Sequence, residues 1–239
     1  MPAELVISPA AKHELKREHK STRPGDGVVL VTGFDPFDGE ATNPSWDVCN
    51  RLPRMIAGIR VETCRVPCEF RRAIEVVADA IGRYRPSLVI CLGQAGGRTH
   101  VSLERVAINV DDARIADNAG AQPIDERIAP NGPPAYFTTL PVKAMTAAMR
   151  AAGVPAEVSN SAGTYVCNHL MYGVLHVLAG SGSSARAGFI HLPYAEEQVL
   201  AKPGKPALAV ATMAKGVEAA IGAALERTHD IAAAEGKLD

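Results

Sequence analysis

A chain of 239 residues with 47% hydrophobic side chains is long enough for a sizeable core and short enough for one domain. Its formal net charge of -1 and isoelectric point near 6.7 exclude a strong overall field for nucleic acid or an anionic membrane, and favour a neutral or small peptide-like ligand. No apolar run approaches the roughly 20 residues needed to cross a bilayer, and the N-terminus lacks a secretory apolar region, so a soluble protein is expected.

In chain order, residues 1–27 mix acidic and basic side chains without a sustained apolar face and read as a flexible extension. Glu4, Glu14 and Glu18 argue against an organelle transit peptide there. Beyond it, short β-branched runs at residues 28–32, 59–66, 88–92 and 188–192 predict buried strands. Helical patterns lie near residues 69–84, 142–152, 163–178 and 207–227. This alternation predicts an α/β fold, a single-domain sandwich whose mainly parallel or mixed central sheet is flanked by helices. The folded unit is expected over residues 28–228, with a tail at 229–239. The stretch 111–134 is too long for a simple turn and is expected to be a functional or interface loop. The glycines of T-G-F-D and G-Q-A-G-G-R lack a full phosphate-binding or dinucleotide fingerprint and are read as tight turns.

Five cysteines, at 49, 64, 68, 91 and 167, are odd in number and form no disulfide framework and no metal-site C-x-x-C pair. A reducing cytoplasm fits that pattern. Nucleophilic chemistry by a cysteine would need no metal or organic cofactor. Cys167, in S-A-G-T-Y-V-C-N-H, falls in the opening turns of a helix, where free N–H groups and the helix dipole are expected to lower a thiol pKa. A small buried hydrophobe is the competing reading. His191 ends an apolar strand, the edge where sites gather in open α/β sheets, and could move a proton to and from such a thiol, although a lone histidine there is often structural. His169 is two positions from Cys167, so their side chains should diverge. Glu104 interrupts the strand-like V-S-L-E-R-V-A-I and could orient an imidazole; a surface ion pair with Arg105 is its alternative.

Four separated motifs link these residues. V-L-V-T-G-F-D-P-F-D-G-E-A-T-N-P-S-W from Val29, G-Q-A-G-G-R-T-H-V-S-L-E-R-V-A-I-N-V-D-D-A-R-I-A-D-N from Gly93, the Cys167 segment, and G-F-I-H-L-P-Y from Gly188 occur in this order. Together they resemble pyroglutamyl peptidase I, a cysteine peptidase family with a phosphorylase/hydrolase-like fold. The resemblance implies a Glu104, Cys167 and His191 triad that releases pyroglutamate from N-terminally pyroglutamylated peptides through a thioester acyl-enzyme. It places Phe34 and Phe37 along a pocket for the pyrrolidone ring, with Gln94, Ile115, Tyr165 and Val166 around it and Arg114 close to the catalytic centre. Tyr165 stands where some members carry phenylalanine. The resemblance also implies a homo-oligomer, often a homotetramer, while charge and hydropathy argue against a nucleic-acid or membrane partner. A nucleoside phosphorylase-like enzyme, or a catalytically silent module binding pyroglutamyl peptides, are the alternatives.

Overall fold

The structure is a computed structural model that describes residues 27–236. The expected extension therefore lies, except for Gly27, outside the described residues. Each long predicted element is present, with ends shifted by a few residues: β1 (Val28–Phe34), β3 (Ile59–Val66), α2 (Arg72–Tyr84), β4 (Leu88–Gln94), α3 (Val142–Ala151), α4 (Val166–Ser181), β9 (Arg186–Leu192) and α5 (Val210–Glu226). Between them lie shorter pieces: α1 (Pro44–Cys49), β2 (Met55–Ile56), β5 (Val101–Glu104), β6 (Val106–Ile108), β7 (Ala135–Phe137), β8 (Ala156–Ser159), β10 (Tyr194–Ala195) and β11 (Ala207–Leu208), with a 3₁₀ turn at Glu196–Val199.

Seven strands form one mixed sheet in the order β2-β3-β1-β4-β9-β5-β8. Strands β3, β1, β4 and β9 run parallel, β5 turns antiparallel to β9, and β8 follows β5 in parallel. Both faces are covered, which is why β1 and β4 are mostly apolar and are buried at every position. On one face Val29 and Val31 pack with Val48 of α1, Met145 and Met149 of α3, and Met213 and Val217 of α5. On the other, Leu30 and Phe34 pack with Ile74, Val77 and Ile81 of α2 and Leu170 and Val174 of α4. Burying a side chain of this size contributes roughly 1.5–3 kcal/mol, so these two cores hold the sheet between its helices.

A side-chain cap sets where the first helix begins. The Asn43 side chain accepts from the Ser45 N–H at 3.1 Å, with Pro44 in the first turn, and so starts α1. Gly33 lies inside β1 rather than in a turn. A Cβ there would come within 2.6 Å of Ser45 O, so only glycine lets α1 lie this close to the strand.

Candidate active site

Parallel strands bring their carboxyl ends to one edge of the sheet, where β1, β4 and β9 finish side by side. At that edge a cavity of about 340 Å³ opens, with Cys167 and His191 in its wall. Gly93 pairs with His191 in the β4–β9 ladder, so their Cα–Cβ directions share one face of the sheet. A Cβ on Gly93 would lie 2.8 Å from Cys167 Sγ and 2.6 Å from the Phe189 ring. The thiol therefore sits over the bare backbone of Gly93, beside the strand that carries His191.

The same alternation delivers Glu104. Ser102 is opposite His191 in the antiparallel β5–β9 pair, and Glu104, two residues on, projects from the same face. Its carboxylate reaches His191 diagonally, with Oε1 2.7 Å from Nδ1. Arg98 Nη1 donates to the same oxygen, also at 2.7 Å. The expected alternative, a surface ion pair between Glu104 and Arg105, is not what the structure contains: Glu104 is fully buried, and Arg105 donates instead to the Glu235 carbonyl. Burial alone would raise the Glu104 pKa, but the hydrogen bond and charge of His191, aided by Arg98, bring it below the ordinary carboxylate value. The carboxylate is thus an acceptor only, so His191 Nδ1 carries the proton and Nε2 is left as the basic nitrogen.

Cys167 differs from the expectation of a lowered thiol. Burial pushes it well up, and Cys68 and Glu104 add to the rise against the opposing charge of Arg98. Desolvation of the sulfur outweighs its place in the first turn of α4. A base beside the sulfur is therefore what its ionisation calls for.

The sequence model for pyroglutamyl peptidase matches residues 28–227. The pyrrolidone-carboxylate peptidase of Cupriavidus taiwanensis is 53% identical over 213 residues, covering 88% of this chain and 99% of its own. The chain belongs to the pyroglutamyl peptidase family. A crystal structure of pyroglutamyl peptidase I from Bacillus amyloliquefaciens is similar with a TM-score of 0.85 at 42% identity, covering 87% of this chain and 99% of that one. The pyrrolidone carboxyl peptidase of Thermococcus litoralis gives 0.81 at 38%, covering 84% and 94%. Membership of the pyroglutamyl peptidase family makes the chain a cysteine hydrolase and selects against the phosphorylase-like alternative.

Of the residues that the resemblance assigns to the pyroglutamyl peptidase pocket, Phe37, Gln94, Arg114, Ile115 and Tyr165 line the cavity. Phe34 and Val166 do not: both are buried in the apolar cluster beneath α2 and α4, and Phe34 packs on Phe189 with ring centroids 6.4 Å apart. The Gln94 side chain emerges on the opposite sheet face from Gly93 and accepts a 2.9 Å hydrogen bond from Gln198. The Tyr165 hydroxyl donates to the Ala116 carbonyl at 3.1 Å, while its ring lies 6.1 Å from Phe37 and 5.5 Å from Phe70. That bond ties the segment carrying Arg114 and Ile115 to the start of α4, so the long stretch 111–134 supplies one cavity wall. His169 diverges from Cys167 as expected, and meets Asp111 at 2.8 Å.

Two further site residues, Gly93 and Arg98, escape sequence reasoning. Of the glycines in G-Q-A-G-G-R only Gly97, at φ 94°, has the left-handed backbone of a turn. Gly93 is a strand residue made obligatory by the sulfur above it, and no local pattern signals that. Among the described residues no cluster of three or more His, Cys, Asp or Glu side chains is arranged to hold a metal ion, and no helix is long and apolar enough to cross a membrane.

Proposed function

We propose that the protein hydrolyses the bond after an N-terminal pyroglutamyl residue with Cys167 as nucleophile, His191 as general base and acid, and Glu104 as the group that orients His191. The observation that carries this reading is the Glu104–His191 hydrogen bond at 2.7 Å, on the sheet face where Cys167 Sγ overlies Gly93 in the cavity wall.

His191 Nε2 takes the thiol proton as Cys167 attacks the pyroglutamyl carbonyl, and Glu104 stabilises the imidazolium that forms. The tetrahedral oxygen collects its charge beside the first turn of α4. The first main-chain bond there runs from His169 N–H to Tyr165 O at 3.0 Å, so the preceding N–H groups are available as donors. Arg114, also in the cavity wall, is a cation available to the same charge. His191 then protonates the departing amine, leaving a thioester, and deprotonates the water that releases pyroglutamate.

The lactam ring of pyroglutamate is flat and largely apolar, with one N–H and one C=O. The tilted rings of Phe37 and Tyr165 suit its faces, and nearby main-chain groups suit its polar edge. The cysteines among the described residues are all free, which supports a reducing compartment.

Release of a fluorogenic amine from its pyroglutamyl amide under reducing conditions tests the reading. Wild type is expected to turn over, and Cys167→Ala to lose on the order of 10⁴-fold or more in kcat. Robust turnover by Cys167→Ala would remove Cys167 as nucleophile. Binding of a pyroglutamyl peptide by wild type without turnover would favour the silent module.

A further inference from the structure

Arg98 is a cation placed at the far side of the proposed Glu104, Cys167 and His191 set, outside the cavity wall. It comes from the segment between β4 and β5, where its N–H bonds the Ala95 carbonyl at 3.3 Å. Its guanidinium and the His191 ring converge on a single oxygen, Glu104 Oε1, each at 2.7 Å. The other oxygen, Oε2, is buried and makes no hydrogen bond among the described residues, although the Ser159 hydroxyl lies on the same face in the paired strand.

We propose that Arg98 is a positioning residue for the reaction: its guanidinium clamps Glu104 so that Oε1 faces His191 Nδ1 and holds the tautomer that leaves Nε2 free for the thiol. The inference rests on the triad reading above and deepens it. Burial works against the Glu104 carboxylate, which His191 and Arg98 together keep ionised; loss of the guanidinium removes one of these supports, and a protonated Glu104 can donate to Nδ1 and reverse the tautomer. A permanently charged guanidinium opposes this, and its N–H bond to Oε1 holds that oxygen beside His191 Nδ1.

The titratable and charged groups that face Glu104 are His191 from β9, Cys167 from α4 and Arg98; Ser159 of β8 adds a neutral hydroxyl. Arg98 holds both the Glu104 carboxyl and the Cys167 thiol lower than they would otherwise be. Removing it moves both protonation equilibria to higher pH, and the acid limb of the rate profile must follow.

The test compares kcat and KM across pH on the pyroglutamyl fluorogenic amide for wild type, R98Q, R98K, E104Q and R98Q/E104Q. In parallel, the rate of Cys167 alkylation by iodoacetamide is followed against pH by peptide mass spectrometry. For R98Q the acid limb of kcat/KM is expected to rise by about one pH unit. At a fixed pH on that limb this is a loss of about tenfold, with KM nearly unchanged because Arg98 does not line the cavity. R98K, which keeps the charge, returns most of the shift. If Arg98 acts through Glu104, R98Q/E104Q is no slower than E104Q. An unmoved limb in R98Q, or a double variant slower by the product of the single losses, would overturn the inference. The alkylation profile needs no substrate: it too must move upward in R98Q, and no movement there overturns the role of Arg98 whatever the peptidase assay gives. Loss of the triad reading would instead appear as full turnover by Cys167→Ala.

Discussion

At the scale of single residues, the site depends on an absent side chain as much as on those present. Cys167, His191 and Glu104 stand out in the sequence because each is a reactive group in an apolar context, at a helix start, a strand end or inside a strand. Gly93 does not stand out, because its role arises only when α4 lays a sulfur across β4. A methyl group there would sit 2.8 Å from Sγ and 2.6 Å from the Phe189 ring, closer than real Cβ contacts allow. Phe189 is buried and packs against His191 with centroids 4.8 Å apart, so relief by moving the ring would disturb the imidazole as well. We therefore expect Gly93→Ala to fold, with a modest loss of stability, but to lose on the order of 10²-fold in kcat through misplacement of the reacting atoms. Steady-state kinetics alongside a thermal melt checks this, and a wild-type kcat would show that the thiol has room to move.

Among the elements, long strands and helices are legible because their burial is periodic or complete, whereas short ones depend on distant partners. Helix α3 shows why. It follows Pro141, which has no side-chain oxygen to satisfy the first N–H groups. The missing cap comes from Asp230, far along the chain: its two carboxylate oxygens accept from Lys143 N–H at 3.0 Å and Ala144 N–H at 2.9 Å. Residues read as a mere tail from their composition thus serve as a helix cap, and they continue along the helix, where Lys143 Nζ donates to Ala233 O at 2.6 Å and Arg150 meets Glu235 at 2.5 Å. A negative charge at this end also suits the helix dipole. Asp230→Ala should lower unfolding free energy by about 1 kcal/mol, with an unchanged denaturant m-value and unchanged kcat, since none of Asp230, Lys143 and Ala144 lines the cavity. A denaturant midpoint equal to wild type would mean that water caps α3 equally well.

For the molecule as a whole, the α/β sandwich follows from strands that must be apolar on both faces, and that much is readable from V-V-L-V and L-V-I-C-L alone. The reversal of β5 and β8 against the parallel strands is not, because four-residue strands carry too little pattern to fix direction. The functional character of residues 111–134 is readable from their length, but the way they are fastened into a wall is not, because it is held by side chains that meet only in the fold. At its centre is a buried pair. The Arg71 N–H donates to His169 Nε2 at 2.7 Å, which places the ring proton on Nδ1, where it is donated to Asp111 Oδ2 at 2.8 Å. Arg71 has φ 62°, a left-handed backbone that a bulky residue rarely adopts, so this bond also holds a strained entry to α2. Asp111 in turn exchanges two main-chain bonds with Glu126, at 2.7 and 3.0 Å, and fastens the loop to the core. Removing the imidazole leaves a buried carboxylate and a strained N–H without partners, so His169→Leu is expected to cost about 3–5 kcal/mol in denaturant unfolding. Replacing Asp111 as well removes the stranded charge, and the double variant should recover part of that loss. Hydrogen exchange should show the single variant losing amide protection in residues 111–134 before the central strands do. Equal protection of loop and sheet in that variant would mean that the wall is held by its other contacts, and that the His169–Asp111 pair does not couple it to the core.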